Sequence, residues 1–552
     1  VKAVSELRII PLGGAGEIGK NCTVIEQGDD MVVVDCGLSF PNEEMPGVDV
    51  VLPDFTYILQ NLHKVRGVFL THAHEDHVGA LPYLLQQANL PVYATEFTHA
   101  LIRTKLEEMT PVGSLDLRTF KPGDVIPAGA MSVEPIRVTH SIPESCSMAV
   151  RTEHGIVLMT SDFKFDFTPV DGKLTNITRF GELAKEGVVV LLSDSTNIDR
   201  QGWSASERDV AAGLRAAFAE AQGRIILTTF ASQIHRIQQF FEVSAEFGRK
   251  VVAVGRRMEQ NIEVCARLGY VKIPKGTQIR LEEARNYPPD RISILMTGSQ
   301  GEPMSALVQA SKESYGRLKI QPGDTVLYSA RPIPGNEAAI WRTINRLFRL
   351  GAKVIYESPV PIHVSGHGHS EELKLMINLT RPFYLAPVHG EPRHTWQYRK
   401  MAADMGYPEH RLFAMEDGVP LVITATEAHL GEPVPCGRVL VDSGGNPGVT
   451  EDLLRDRSNL AQYGVVTVTL VVDPEAGDVV GEPLLSQKGL HDPEGSVLQA
   501  ATQALATELR QFSKEDVMDP DTLRHAASDV VRRAIFRFSQ IRPLVVTTVV
   551  EV

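Results

Sequence analysis

Short apolar runs, each closed by Gly, Pro, Asn or Asp, punctuate the N-terminal part of the chain. This punctuation predicts strands over Arg8–Leu12, Cys22–Glu26, Met31–Asp35, Val65–Thr71, Pro91–Ala94, Met131–Val138, Met148–Arg151, Ile156–Thr160 and Val188–Ser193, with few helices between them. At Ser204-Ala-Ser-Glu207 the texture changes. An S-x-x-E pattern of the capping-box type opens an Ala-rich helical stretch. Strands over Arg224–Thr229, Val251–Val254, Ile292–Thr297 and Asp324–Ser329 then alternate with helices over Ser232–Ala245, Met258–Leu268 and Glu337–Leu350. That alternation is the signature of a doubly wound α/β unit. Strand Lys353–Ile355, a His-rich loop, helix Glu371–Thr380 and strand Pro382–Val388 follow, and a turn-rich break at Gly444–Gly448 sets off a final unit with its own strands and helices.

Length makes the chain multidomain: 552 residues exceed what one core organises. With 43% hydrophobic and 22% charged residues it is globular rather than disordered, collagenous or coiled-coil. No stretch approaches the ~18–20 apolar residues of a membrane span, and Ile9-Ile10 is broken at once by Pro11 and Gly13-Gly14, so neither a membrane span nor a signal peptide is expected and the expected location is the cytoplasm. Five cysteines without a C-x-x-C pair argue against a disulfide framework or a zinc ribbon, so any metal must be held by His and carboxylates. A net charge of −13 excludes a uniformly basic nucleic-acid coat, though not a nuclease with a local metal cluster.

The candidate chemistry begins at Thr71-His72-Ala-His74-Glu-Asp76-His77, directly after an apolar strand. His72 and His74, two apart in extended backbone, face the same side, while Asp76 and His77 lie where the chain turns into a helix. Two metals could share such a turn, but each wants four or more ligands, so other strand ends must supply the rest. His140, Asp162 and His389 each follow a predicted strand and are the candidates. Asp35, after Val32-Val33-Val34, is expected to be a buried carboxylate bonded to a ligand His or to the turn behind it.

This H-x-H-x-D-H motif with later strand-end His, Asp and His resembles the metallo-β-lactamase fold, and the inserted α/β unit resembles its β-CASP branch. Within that branch Leu12–Gly19 (LGGAGEIG), Ser193–Asn197 (SDSTN), Thr297–Pro303 (TGSQGEP), His363–His367 (HVSGH) and Pro387–Glu391 (PVHGE) are similar to bacterial ribonuclease J. The resemblance implies an αββα sandwich carrying an inserted doubly wound β-CASP domain and a small α+β C-terminal domain. The expected divisions are 1–205 and 359–447 for the two parts of the sandwich, 206–358 for the insert, and 448–552 for linker and C-terminal domain. It implies two divalent ions, zinc or manganese: His72, His74, His140 and Asp162 for the first, and Asp76, His77, Asp162 and His389 for the second, with Asp162 bridging. Asp194, His367 and His389 match the three β-CASP motifs. Some members carry a structural calcium, here near Asp49 with Asp442.

The implied reaction is hydrolysis of single-stranded, 5′-monophosphorylated RNA from its 5′ end, with additional internal cleavage, in RNA maturation and decay. Asp76, Asp194 and His367 are the expected catalytic side chains, and His367 is the preferred proton donor because imidazole titrates near neutrality. His363, Val364, Ser365, Gly366 and His367 would hold the terminal phosphate, and Arg331, on a loop at the carboxyl end of an insert strand, would either contact a phosphate of the RNA path or stabilise its own turn. His369 is an additional imidazole whose role stays open. Other readings are a β-CASP nuclease acting on DNA, a small-molecule hydrolase, which would not need a domain-sized insertion, and a silent scaffold, which would not need a full ligand set. Two strongly apolar C-terminal strands, Gly464–Val472 and Leu544–Val550, call for a partner sheet and thus a homodimer or higher oligomer, with further partners in an RNA-decay complex.

Overall fold

The computed structural model describes residues 5–42, 44–109, 115–333, 335–512 and 519–552. Two compact units result, one from the described residues up to Phe40 with Val50–Val439, the other from those of Pro41–Asp49 and Leu440–Val552.

The first unit is built on two facing sheets and a third, separate one. An eight-stranded sheet runs in the order Ala428–Leu430, Leu421–Ile423, Leu7–Gly13, Cys22–Gln27, Asp30–Val34, Val65–Phe69, Val92–Ala94, Leu117–Thr119. A six-stranded sheet runs Tyr384–Val388, Val188–Asp194, Gly155–Met159, Cys146–Thr152, Met131–Arg137, Ile126–Ala128. Leu7, Ile9, Ile25, Val32, Val34 and Phe69 of the first meet Val133, Met148, Val150, Val157, Val190 and Leu192 of the second in one buried cluster. The outer face of the second sheet is covered by helices Ile177–Glu186, Ser370–Thr380 and Pro392–Asp404 through Phe180, Leu183, Leu373, Met376, Ile377 and Tyr398. This is the expected αββα sandwich. Val32–Val34 read as unbroken apolar sequence because their sheet is buried on both faces.

The inserted sheet is wholly parallel, in the order Lys250–Val254, Ile292–Met296, Ile225–Thr228, Thr325–Tyr328, Lys353–Ile355, with the chain leaving Ile225–Thr228 to build outward in both directions. That is the doubly wound pattern the alternation predicted.

Two local expectations need correction. The N-terminal part carries more helix than its strand-like texture suggested, chiefly Glu96–Met109 and Ile177–Glu186. The capping box is shifted by two residues: Ser206 and Asp209 cap the first turn, while Ser204 donates to Glu372 Oε1 at 2.8 Å and Glu207 pairs with Arg236 at 2.7 Å. Long-range partners of Ser204 and Glu207 outcompete the local cap.

In the second unit, Val465–Asp473 pairs antiparallel with Asp478–Val479 and Leu484–Lys488 along one edge and parallel with Leu544–Glu551 along the other. The two apolar strands therefore pair with each other. Their inner face, Val466, Val468, Leu470, Val472 and Val545, packs on Leu505, Leu523 and Val531 of helices Ser496–Leu509 and Pro520–Ser539. The partner layer expected from a second copy is supplied within the unit. Among the described residues, no helix is long and apolar enough to cross a membrane.

Candidate active site

Strands Met131–Arg137, Gly155–Met159, Val188–Asp194 and Tyr384–Val388 run in the same direction, so their carboxyl ends open on one side of the sandwich. Asp30–Val34 and Val65–Phe69, parallel in the facing sheet, end there too. Each strand delivers one chemical group as it stops. Asp35, Ser161 and His389 turn off with left-handed φ of 63°, 54° and 52°, a conformation costly for side-chain-bearing residues that the converging side chains over-determine.

Three sets of ligand-type atoms converge. In the first, His74 Nδ1 lies 3.0 Å from His72 Nε2 and 3.1 Å from His140 Nε2, and Asp162 Oδ2 is 3.6 Å from each of those two ring nitrogens. In the second, Asp76 Oδ2 is 3.1 Å from His389 Nε2 and 3.6 Å from His77 Nε2, while Asp162 Oδ1 is 3.3 Å from His77 Nε2 and 3.6 Å from His389 Nδ1. In the third, His367 Nδ1 lies 2.7 Å from Asp194 Oδ2, and its ring stacks on that of His389 with centroids 5.4 Å apart. Asp162 belongs to the first two sets, one oxygen to each.

Burial holds His72 and His140 well below the usual imidazole range and His74 down to about 4, so all three present lone pairs at neutral pH. Against burial, Asp162, Asp35 and Asp76 hold His77 well above that range, and Asp162, Asp194 and Asp76 lift His389 to about 10. Asp162 itself, which burial would raise, is kept well below the carboxylate range by His389, His77 and His367. Its Oδ1 is buried without a hydrogen-bond partner. In the metal-free chain protons on His77 and His389 balance this carboxylate, and a divalent ion bound there would take their place. Four nitrogen or oxygen donors in each of two sets, sharing one carboxylate, therefore fit two divalent ions.

The groups behind the ligands fix their orientation. Asp35 does both things expected of it: Oδ2 lies 2.7 Å from His77 Nδ1, and its oxygens accept from Thr71 N and Oγ1 at 2.8 and 2.9 Å. His140 Nδ1 donates to Gly366 O at 2.8 Å, which leaves Nε2 for the cluster. A Cβ at Gly366 would sit 2.6 Å from the His140 ring, so only glycine lets this loop approach. Ser365 Oγ accepts from Asn197 Nδ2 at 2.8 Å and from His367 N at 3.1 Å.

Not every expected phosphate contact is free for that task. His363 Nδ1 accepts from Arg236 Nη1 at 2.6 Å, and burial holds its pKa well down, so this ring is committed to the insert. Val364 is buried in the core of the insert and can offer only its backbone. Arg331 lies exposed on its loop, where its carbonyl accepts from Gln300, and Pro334 of that loop lies outside the described residues. His369 is a helix cap: its carbonyl accepts from Glu372 N at 3.0 Å, and Glu372 Oε2 accepts from His369 N at 2.7 Å. Asp49 Oδ1 accepts from Ser443 Oγ at 3.1 Å, whereas Asp442 Oδ1 accepts from Gly444 N and Asn446 N, both at 2.9 Å. Asp442 thus closes its own turn.

Sequence reasoning met Thr71 and Asn197 only inside motifs, without a role, and missed Ser161, Arg236 and Glu372. Glu372 is fully buried and accepts from Phe165 N, Ser204 N, Ser204 Oγ and His369 N, tying the loop after Asp162 to the one carrying His367. A Glu in a helix first turn is common enough that no sequence signal separates it from an ordinary cap.

Four family descriptions match the chain: Metallo-beta-lactamase superfamily over residues 15–186, Ribonuclease J beta-CASP domain over 222–347, Zn-dependent metallo-hydrolase RNA specificity domain over 360–411, and Ribonuclease J C-terminal domain over 452–552. Ribonuclease J of Thermus thermophilus is 39% identical over 98% of this chain and 95% of its own length, and Ribonuclease J2 of Bacillus subtilis is 36% identical over all of both. Ribonuclease J of Synechocystis is 40% identical over 88% of this chain and 76% of its own. A crystal structure of a protein of unknown function from Enterococcus faecalis, 16% identical, shares the fold with a TM-score of 0.52 over 79% of this chain and 100% of that one.

Proposed function

The chain belongs to the ribonuclease J family, and from that premise we propose that this metal-dependent ribonuclease releases mononucleotides from the 5′ end of single-stranded, 5′-monophosphorylated RNA and also cleaves internally. In this reading His72, His74, His140 and Asp162 hold one divalent ion, zinc or manganese, and Asp76, His77, Asp162 and His389 hold the other. When bound, the ions supply an activated water and stabilise charge on the scissile phosphate. The chain's own groups do the rest. Asp194, 2.7 Å from His367 Nδ1, raises the pKa of that ring against its burial, so Nε2 carries a proton toward the departing 3′-oxygen. Asp76, beside His389, serves the second ion and the same proton balance.

The observation that carries the 5′ polarity is the position of the 363–367 loop. Gly366 O accepts from His140 Nδ1, so a phosphate anchored on Ser365, Gly366 and His367 would sit against a ligand of the first ion and bring the next phosphodiester to the cluster. In the same reading Arg331, exposed on its loop, would contact the RNA beyond it. The match of an RNA specificity domain to residues 360–411 supports RNA over DNA.

The same reading divides the chain at 205, 358 and 447, and gives it a cytoplasmic role in rRNA processing and mRNA decay, with decay-complex partners and a homodimer. The outer edge of Leu544–Glu551, which has no strand partner among the described residues, is the place where a second copy would pair. A calcium at Asp49 and Asp442 rests on the resemblance, because Asp442 Oδ1 already serves its own turn.

The test is a product ladder from RNAs of one sequence with 5′-monophosphate, 5′-triphosphate or 5′-hydroxyl ends. Mononucleotides should appear first and fastest from the monophosphate. Equal rates on all three ends, or digestion from the 3′ end, would rule the pocket out.

A further inference from the structure

The glycine-rich motif at Leu12–Gly19 lies outside both ligand sets, yet the loop it forms touches the backbone on two sides of one of them. Gly14 O accepts from His389 N at 2.6 Å, and Ala15 bridges to Gly390 in parallel. Where the loop ends, Asn21 N and Nδ2 both donate to Asp76 O at 3.0 Å, and Nδ2 lies 3.1 Å from His77 Nε2. Three of the four residues of the second set are thereby spanned by one loop. Its hydrogen bonds reach neither His72, His74 nor His140.

A buried lysine and a half-buried aspartate hold this loop in shape. A Cβ on Gly13 would overlap the Lys20 carbonyl, so the chain bulges there and Lys20 turns inward with φ 54° and only 4% exposure. Its Nζ lies 2.8 Å from Glu17 Oε1 and 3.2 Å from Asp417 Oδ2. The other oxygen of Asp417 accepts from Ala15 N at 3.0 Å, the same residue that bridges to Gly390. Burial pushes the Asp417 carboxyl up to about 6 despite Lys20. An ion pair this withdrawn from water adds little stability over apolar side chains of the same size. What this one contributes is a fixed length between Ala15 and Lys20.

We propose that Lys20 and Asp417 are positioning residues that set the separation of Asp76 and His77 from His389, and so govern the affinity of the second ion while leaving the first unaffected. This rests on the assignment of those three residues and Asp162 to a second ion.

Calorimetric titration of the metal-stripped full chain with Mn²⁺ tests it, on wild type, Asp417→Asn, Lys20→Met and the charge-conserving Asp417→Glu. The second binding event should weaken by about 10–100-fold, the range for groups that orient ligands, in Asp417→Asn and Lys20→Met. It should partly recover in Asp417→Glu, with the first event unchanged throughout. Weakening of both events alike, or of neither, overturns the proposal. Lys20→Met keeps the side-chain volume, so it decides the matter if Asp417→Asn does not fold. His389→Ala run beside them separates the two layers. If it binds two ions like wild type, the ligand assignment fails; if it loses the second ion while Lys20→Met keeps it, only the positioning role fails.

Discussion

Replacing Ser365 by alanine removes a hydroxyl whose two lone pairs are already engaged, by Asn197 Nδ2 at 2.8 Å and His367 N at 3.1 Å. Its proton is therefore free to be donated outward, to an anion. A hydrogen bond to a charged group contributes about 1.5–3 kcal/mol, which at 1.36 kcal/mol per decade is about a ten- to hundredfold loss in kcat/KM. That loss should fall only on substrates that bring the anion. The vacated lone pairs also leave His367 N without its acceptor, whereas Asn197 Nδ2 keeps His367 O at 3.1 Å. This second cost is borne by every substrate and cancels in a ratio. Initial rates of labelled mononucleotide release from 5′-monophosphate and 5′-hydroxyl RNAs of identical sequence should therefore show the preference for monophosphate collapsing by about ten- to hundredfold in Ser365→Ala. If both substrates slow by one common factor, Ser365 is a scaffold residue and the phosphate is held elsewhere.

Asp162→Ala should abolish turnover and lower bound metal measured by elemental analysis, because one carboxylate serves both donor sets; two tightly held ions in the variant would refute the sharing. Truncation after Pro447 should give a monomer by light scattering with its metal content unchanged, and a truncated dimer would move the contact into the first unit. Asp417, facing Lys20, Glu17 and Cys436, carries a pH signature. With its pKa raised from 3.8 to about 6, the folded state binds this proton more tightly than the unfolded one, so stability falls as pH rises through that window, by at most about 3 kcal/mol. Melting temperatures of the metal-free protein should show this fall between about pH 4 and 6 and lose it in Asp417→Asn; identical slopes would refute it.

The site was legible where one strand end carries its own signature. His72, His74, Asp76 and His77 announce themselves by spacing. His140, Asp162 and His389 are visible because parallel strands must end side by side, so an isolated polar residue after an apolar run has company in space. What stayed hidden depends on contacts between distant segments. Ser204 and Glu207 form a credible cap in sequence, but each finds a stronger partner, Glu372 and Arg236, that no local pattern foretells. His363 and Val364 belong to a loop of the right composition, yet Arg236 claims one and the core the other. The C-terminal strands looked unsatisfied because the helices that cover them lie between them in the chain, and periodicity does not say which neighbour a face will meet.

The strand order of the six-stranded sheet also bears on how the protein comes into being. Val188–Asp194 pairs with Gly155–Met159 on one edge and with Tyr384–Val388 on the other. The whole insert is synthesised between these two neighbours. At about 5–20 residues per second, roughly 10–40 s pass with that apolar edge open. A parallel insert whose strands, among the described residues, pair with one another can fold in that interval without competing for the edge. His389 arrives with the closing strand, so a nascent chain holds the residues of the first donor set long before it holds the last residue of the second, and the nuclease cannot become complete until its sandwich has closed.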